Sequence, residues 1–474
     1  MKPEMALLLD IGGQGCRALA VDDRGAVRFE ASRRVDSREE GDRVEQDPEV
    51  LADAVEAVAF EVLDEMHGST MPITRAALAV QRGSIVCWDR SDGAALSPVI
   101  SWRDRRGLPG MGAMAAQAGE IRRRTGLRFS PYGGASKIAW CLQELEKVQQ
   151  ADKRGRLACG PLGSFLMARL LAEQPVRVDD TLAQRTLLWS RETFDWDPWL
   201  LEQFGLSMSV LPEVVSSRGT HGHLRRAGKR VKLDLLMGDQ NCVPFIDGRP
   251  DPDTLYINIG TGAFLVRPLH EPVDDERFQL TLLDRNHECR WALEGSVHGA
   301  ASAITWLEGT QGCETLHERM DGLRERVDRP PLFINTLDGL GSPWWCSGPD
   351  PSFVGEHDEN DIDARLVAVL ESIAFLIAAN IEAMNESVDG PRRVVLSGGL
   401  SRSNTLCSLI ADLLDIPAVR LDSAEATALG LWCRLDDRAL PGRHFETVTG
   451  QRDQALVERY RHWRHHIEAA VKGA

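Results

Sequence analysis

Apolar residues along this chain fall into two recurring patterns. The first is a short unbroken block closed by an acid or a glycine, as in LLLD from Leu7, LLMGD from Leu235 and VVLSGG from Val394. Such blocks predict strands buried on both faces, as in sheets with helices packed above and below. The second is an apolar residue every three or four positions, as in DPEVLADAVEAVAFEVLDEM, where Asp47-Pro48 opens a helix. A short strand, RAALAVQ, follows it, and after VVLSGG a helical stretch leads into the strand AVRL. The glycine pair of VVLSGG stands at the carboxyl end of its strand, where α/β sheets usually bind ligands.

Two stretches echo one another. LLLDIGGQGCRALAVDDRG, starting at Leu7, and TLYINIGTGAFLVRP, residues 254–268, each predict strand, glycine turn and strand. A glycine-tipped hairpin opening each of two similar halves predicts a duplicated α/β domain with a cleft between the copies. The expected division is 1–245 and 246–474, next to the turn-forming GRPDPDT. Hairpin tips that expose backbone N–H groups cradle anions, and two of them suit successive phosphates.

At 474 residues the chain exceeds what one hydrophobic core supports, about 250–300 residues, so more than one domain is expected. A net charge of −16 supplies no general attraction for nucleic acid or an acidic membrane, which removes both as partners. The opening apolar run is too short for a secretory segment, and the most apolar helix, AVLESIAFLIAANIEAM (368–384), carries two Glu. A soluble cytoplasmic protein is the expectation. Its ten cysteines stand singly, with no Cys/His spacing of zinc-site type, and read as small buried residues in a reducing compartment. The terminal RHWRHHIEAAVKG reads as a helix with a basic face rather than a metal site, because no carboxylate or Cys cluster accompanies it.

Two acids end buried blocks. Asp10 leads into Gly12-Gly13-Gln14-Gly15-Cys16, a phosphate-loop shape without a Ser or Thr hydroxyl. Asp239 follows Gly238 at the end of LLMG. A carboxylate there can take the proton of a substrate hydroxyl during phosphoryl transfer, or it can simply make a turn.

Ten ordered stretches decide between these. They are VEQDPE (44–49), VQRGSIVCWDRSDGAALSPVISWRDRR (80–106), TGLRFSPYGGASKIAW (125–140), TLAQRTLLW (181–189), LPEVV (211–215), MGDQ (237–240), NIGTGAFL (258–265), LEGSVHGAASAITWL (293–307), DGLGSPWW (338–345) and SGGLSRSN (397–404). Over nearly its full length the chain resembles the FGGY carbohydrate kinases, the glycerol, xylulose and gluconate kinases of actin-like ATPase fold. The resemblance implies two ribonuclease H-like α/β domains with nucleotide and substrate in a cleft between them. It implies ATP and Mg2+, and phosphorylation of a hydroxyl on a sugar, polyol or sugar acid.

Roles follow by the same resemblance. Asp239 matches the general base, and Asp10 the acid near magnesium, with Asp239 also on the metal side. Gly12, Gly13, Gln14 and Arg17 fall in the first phosphate loop, Gly260, Thr261 and Gly262 in the second. Gly398, Gly399, Leu400, Ser403 and Asn404 fall in the ATP-binding segment. Arg82, Trp102, Arg103, Tyr132, Gln240 and Phe264 match the acceptor side. Hydrogen-bonding Arg and Gln with aromatic faces suit a polyol, although Trp102 and Phe264 equally suit a core and Arg82 a structural ion pair. Relatives of this kind are often dimers or tetramers, so a homodimer is compatible with the sequence, which declares no interface.

Three departures matter. Arg82 is followed by Gly83 where glycerol kinases have Glu, so a carboxylate that would accept two hydroxyl protons is missing. Arg103 replaces a Gln, which suits either an anionic acceptor or a surface ion pair with Asp104 or Asp89. Gly13-Gln14 replace hydroxyl residues of the first loop, a loss worth on the order of 1–3 kcal/mol of phosphate stabilisation. That change also motivates the alternative of a catalytically impaired metabolite or nucleotide sensor. Retention of both Asp10 and Asp239 favours an enzyme, since sugar binding alone needs neither.

Overall fold

The computed structural model describes residues 4–225, 231–287, 290–423 and 425–472. Contacts divide the chain into two compact units, neither of which is one run of sequence: the first takes 1–249, 281–290 and 427–441, the second the remainder.

In the first unit β1 (Met5–Gly12) and β2 (Gly15–Val21) form the expected hairpin, with Gly12 paired to Gly15 and only Gly13-Gln14 at its tip. Next come β3 (Val27–Arg34), α1 (Pro48–Glu65) and β4 (Ile73–Val80). They are followed by α2 (Gly134–Glu144), α3 (Asp180–Gln184), β5 (Arg218–His223), β6 (Lys232–Gly238) and the single turn α4 (Asp239–Cys242). The main sheet has the order β5-β6-β4-β1-β2-β3. Its central strands β6, β4 and β1 run parallel and are almost wholly apolar, because helices cover both faces. α1 starts where Asp47 accepts hydrogen bonds from the N–H groups of Glu49 and Val50, and it lays Leu51, Val55, Val58 and Val62 on β2 and β3. A second, five-stranded sheet (38–40, 43–46, 99–100, 85–89 and 157–161 in spatial order) carries the loops after Val80 and Ile100.

The second unit repeats the hairpin with β7 (Thr254–Ile259) and β8 (Ala263–Leu269), as the sequence predicts. The elements that follow are β9 (Trp291–Val297), α5 (Ala301–Gln311), α6 (Ile362–Asn385), β10 (Arg393–Ser397), α7 (Asn404–Leu414) and β11 (Ala418–Leu421). Helix α8 (Ala426–Asp436) belongs to the first unit from Thr427 onward, and β12 (Phe445–Val448) and α9 (Gln454–Lys472) close the chain. Six neighbouring strands of the sheet lie in the order β9-β8-β7-β10-β11-β12. Helix α6 is long and apolar enough to cross a membrane, yet 94% of that stretch is buried, and Leu366, Val369, Ile373 and Ile377 are core residues. Among the described cysteines seven are buried and Cys313 and Cys346 half-buried; Cys289 lies outside the described residues.

Candidate active site

Strand register assembles the first unit's candidate residues. Asp10 of β1 pairs with Ala79 of β4, and Ala79 pairs in turn with Met237 of β6, all in parallel. The three strands therefore end together, delivering Gly12, Gln81-Arg82 and Asp239 to one edge of the sheet. Asp10 and Asp239 are two strand spacings apart, on the order of 10 Å. Both act on the buried Cys242 thiol, whose pKa is held well above the ordinary value by burial first and then by Asp239, Asp10 and Asp179, with Arg82 opposing.

Arg82 occupies the space between. Its Nε lies 3.7 Å from Asp239 Oδ1, and its Nη1 donates to Asn241 Oδ1 at 3.2 Å. Gly238 permits this: a Cβ there would stand 2.6 Å from Arg82 Cγ and 2.8 Å from Asn241 Oδ1. The Gly of MGDQ is therefore needed for the passage of the Arg82 stem. Arg82 is thus an ion-pair partner, as one of its two sequence readings had it, and the partner is the candidate base.

Asp239 is fixed from behind. The Gly238 N–H donates to Thr181 Oγ1 at 2.8 Å, and Thr181 Oγ1 donates to Asp179 Oδ2 at 2.6 Å. Asp179 is fully buried at the N-cap of α3, where it also accepts from Ser217 Oγ at 2.8 Å. Burial pushes its carboxyl up to about 7 against these hydrogen bonds. Thr181 opens the stretch TLAQRTLLW, in which no local pattern marks this relay. Only the fold shows that Thr181 meets Gly238.

The first loop is tied by its carbonyls, leaving its N–H groups uncovered by these contacts. Gly13 O accepts from Ser37 Oγ and Gln46 Nε2, both at 3.2 Å, and Gln14 O accepts from Val35 N at 3.1 Å. Gln46 Oε1 in turn accepts from Gln81 Nε2 at 3.0 Å, joining the loop to the residue before Arg82. Gln14 is exposed. Arg17 stands opposite Asp10 on β2 and pairs with Glu30 at 3.1 Å.

Trp102 and Tyr132 are 38% and 42% exposed, which removes the core reading of Trp102. Trp102 Nε1 lies 3.7 Å from the position of a Cβ on Gly13, so the aromatic ring adjoins the first loop. Gly83 has φ +76°, and a Cβ on it would meet Trp102 Cβ at 3.3 Å and Tyr132 O at 3.4 Å, so a carboxylate side chain is disfavoured there. Arg103 corrects the sequence reading of its partner: it pairs with Glu39, while Asp104 is taken by Arg106 at 2.6 Å and Asp89 by Arg156 at 2.9 Å. Gln240 is half-buried, its N–H donating to Asp239 Oδ1 at 2.8 Å.

In the second unit the two ATP-segment candidates adjoin. Gly398 has φ +88°, and a Cβ there would stand 2.6 Å from Ile259 O, so the turn after β10 lies directly on the end of β7. The Gly260-Thr261-Gly262 tip is held by its carbonyls: Ala301 N donates to Gly260 O, and Ala300 N to Thr261 O, both at 3.1 Å. Phe264 is half-buried between Asn258 and Ser296 on neighbouring strands. Gly399 and Asn404 are exposed, whereas Leu400 buries its side chain. Ser403 caps α7 and donates to Asp321 Oδ1 at 3.0 Å. Asn404 accepts from Arg420 Nη1 at 2.8 Å. Sequence reasoning missed Asp321 and Arg420, which no local pattern marks.

Among the described residues no three His, Cys, Asp or Glu side chains converge as a metal cluster. Asp10 and Asp239 offer the two carboxylates that suit Mg2+, which takes its other ligands from water and substrate phosphates.

Comparison with known proteins adds the chemistry. Residues 5–253 match the N-terminal domain, and residues 255–433 the C-terminal domain, of the FGGY family of carbohydrate kinases. A glycerol kinase from Trichlorobacter lovleyi is 32% identical over 444 residues, covering 90% of this chain and 88% of its own. An apulose kinase from Pectobacterium atrosepticum is 28% identical over 487 residues, covering 98% of each chain. The Plasmodium falciparum glycerol kinase with ADP superposes with a TM-score of 0.86 at 21% identity, covering 98% of each. A gluconate kinase from Lactobacillus acidophilus gives 0.85 at 18%, covering 99% of each.

Proposed function

Because the chain belongs to the FGGY family of carbohydrate kinases, we propose that it moves the γ-phosphoryl group of ATP to a hydroxyl of a neutral sugar or polyol other than glycerol, with Asp239 as general base. The observation that carries the reading is the common ending of β1, β4 and β6, with Arg82 3.7 Å from Asp239. The acceptor hydroxyl gives its proton to Asp239 as its oxygen bonds to phosphorus and the bond to the ADP oxygen breaks. Arg82, its Nε 3.7 Å from Asp239 Oδ1, orients the carboxylate. Trp102 and Tyr132 supply apolar faces for the C–H surface of the acceptor, and Gln240 and Arg82 its hydrogen bonds.

The first unit is assigned the acceptor and the Gly12-Gly13-Gln14 loop, the second the Gly260-Thr261-Gly262 loop and the adenosine segment from Gly398 to Asn404. Mg2+ would be held from Asp10 and Asp239, and when bound it supplies charge neutralisation at the phosphate oxygens. Glycerol is disfavoured because Gly83 offers no carboxylate, and a sugar acid because Arg103 is engaged by Glu39. The buried α6 and mainly buried thiols support action in the cytoplasm.

The test is ADP release with Mg-ATP against glycerol, larger polyols, ketoses, aldoses and sugar acids. Turnover highest with a neutral acceptor other than glycerol, and lost in Asp239→Asn, is expected. Preference for glycerol or a sugar acid overturns the acceptor assignment, and activity retained in Asp239→Asn overturns the base.

A further inference from the structure

One fully buried cation lies beneath the acceptor-side residues and has no part in the reaction described above. Lys137, in the first turn of α2, is 0% exposed. Its ammonium donates to Ser101 O at 2.8 Å, Gly83 O at 3.0 Å, Tyr132 O at 3.1 Å and Trp102 O at 3.4 Å. Those four carbonyls come from three separate loops, which carry the acceptor-side candidates Arg82, Trp102 with Arg103, and Tyr132. The lysine itself is set by the start of α2, where the N–H groups of Gly134 and Ala135 donate to Arg185 O and Thr186 O; besides the ammonium, Trp102 N donates to Ser84 Oγ at 3.0 Å, a bond between two of the loops, while the ammonium reaches all three.

We propose that Lys137 is the positioning residue of the acceptor pocket, its ammonium serving as the common hub that sets Arg82, Trp102 and Tyr132 at fixed distances from one another. The proposal rests on the acceptor reading given above. An ammonium suits the task because three N–H donors on one atom can hold three strands of irregular backbone through their carbonyls, of which Ser101 O also accepts from Asp104 N at 3.1 Å. Burial pushes the Lys137 pKa down to about 7, Asp104 raising it and Arg106 lowering it. These two charges pair with each other, and Arg106 also reaches Glu45 at 2.7 Å, so no carboxylate holds the lysine itself.

Lys137→Met, of similar shape but without donors, and Lys137→Gln, which keeps two N–H groups, test this in the full chain. Amide hydrogen exchange is the first readout and needs no ligand. In Lys137→Met, exchange around residues 83–84, 101–103 and 132–133 should accelerate together by about tenfold or more, with β1 and β7 unchanged. Acceleration in one loop alone, or spread evenly through the first unit, would overturn the hub. The second readout uses Mg-ATP with xylitol, D-xylulose and D-ribulose as probes: acceptor KM should rise about tenfold while ATP KM stays within about twofold, Lys137→Gln falling between. Equal rises in both constants would reduce Lys137 to a structural residue. If Lys137→Met does not fold, Lys137→Gln carries both readouts. Trp102→Ala and Arg82→Ala, run alongside, separate the two readings. Unchanged acceptor KM in them sinks the pocket, whereas raised KM there with no effect at Lys137 sinks the hub.

Discussion

Arg82 Nε stands 3.7 Å from Asp239 Oδ1, with both side chains largely out of solvent, so the candidate base never faces the site without a cation beside it. This one pair links two loops that lie more than 150 positions apart in sequence. It also explains why a glycine must precede the acid, since the Arg82 stem runs across Gly238.

Asp239→Asn keeps the shape of the side chain and removes the base. Turnover should fall by about 10²–10⁴-fold, while ATP affinity, measured by calorimetry, stays within about twofold. A comparable loss of ATP binding would show that Asp239 acts mainly through the nucleotide.

Gly238→Ala should cost about 1–3 kcal/mol of stability and most of the activity, because the new methyl group meets Arg82 Cγ at 2.6 Å with the backbone already in an ordinary extended conformation. Denaturant melts and rates check this together. Pairing it with Arg82→Ala, which removes the obstructing stem and leaves the 2.8 Å approach to Asn241 Oδ1, should recover part of the stability but not the rate.

Asp179 sets a pH dependence. Its carboxyl is raised from the ordinary range to about 7 by burial, so between about pH 4 and 7 the folded chain binds more protons than the unfolded one. The stabilisation from this group is fully present below the unfolded pKa and is lost as pH rises through 7. Asp179→Asn, neutral throughout, should therefore gain in melting temperature relative to the parent between pH 5 and pH 8. A difference that does not change with pH would place the proton elsewhere.

The first loop can be given back a hydroxyl. A Cβ on Gly13 would meet Gln81 Oε1 at 3.5 Å and Trp102 Nε1 at 3.7 Å, both ordinary contacts, and Gln81 Oε1 is a buried acceptor with no hydrogen-bond partner. Gly13→Thr should fold with stability within about 1 kcal/mol of the parent and lower ATP KM by roughly three- to tenfold. Unchanged ATP KM would mean that the backbone N–H groups alone do the work of this loop.

What could be read in advance was whatever a local pattern encodes. LLLDIGGQG and NIGTGAF reveal their hairpins because three apolar residues before a glycine turn have few other ways to fold. Asp10, Asp239 and the two glycine loops were therefore legible as residues at strand ends. Lys137, Thr181 and Asp179 were not, although the first two sit inside the motifs that carry the resemblance, because their importance lies in carbonyls, hydroxyls and N–H groups most of which the chain brings from 35 to 57 positions away. Arg103 shows the limit from the other side: neighbouring Asp104 was the natural partner on sequence distance, yet Arg106 holds it in a bidentate pair, and Glu39, 64 positions earlier, takes Arg103.

Helix α8 carries a consequence for how the protein is made. From Thr427 on it completes the first unit: a Cβ on Gly430 would stand 2.1 Å from Cys242 O, Trp432 Nε1 donates to Asp22 O at 2.9 Å, and Arg434 forms a buried pair with Asp284 at 2.8 Å. A ribosome that has delivered residues 1–249 has thus not yet delivered a finished unit. The nascent chain must hold the Asp22 and Cys242 surfaces open until the helix that carries Gly430 and Trp432 has been made. A gene fragment cut at the apparent domain border would yield an insoluble half rather than an independent module, and a premature stop before residue 441 would damage the half of the protein translated first.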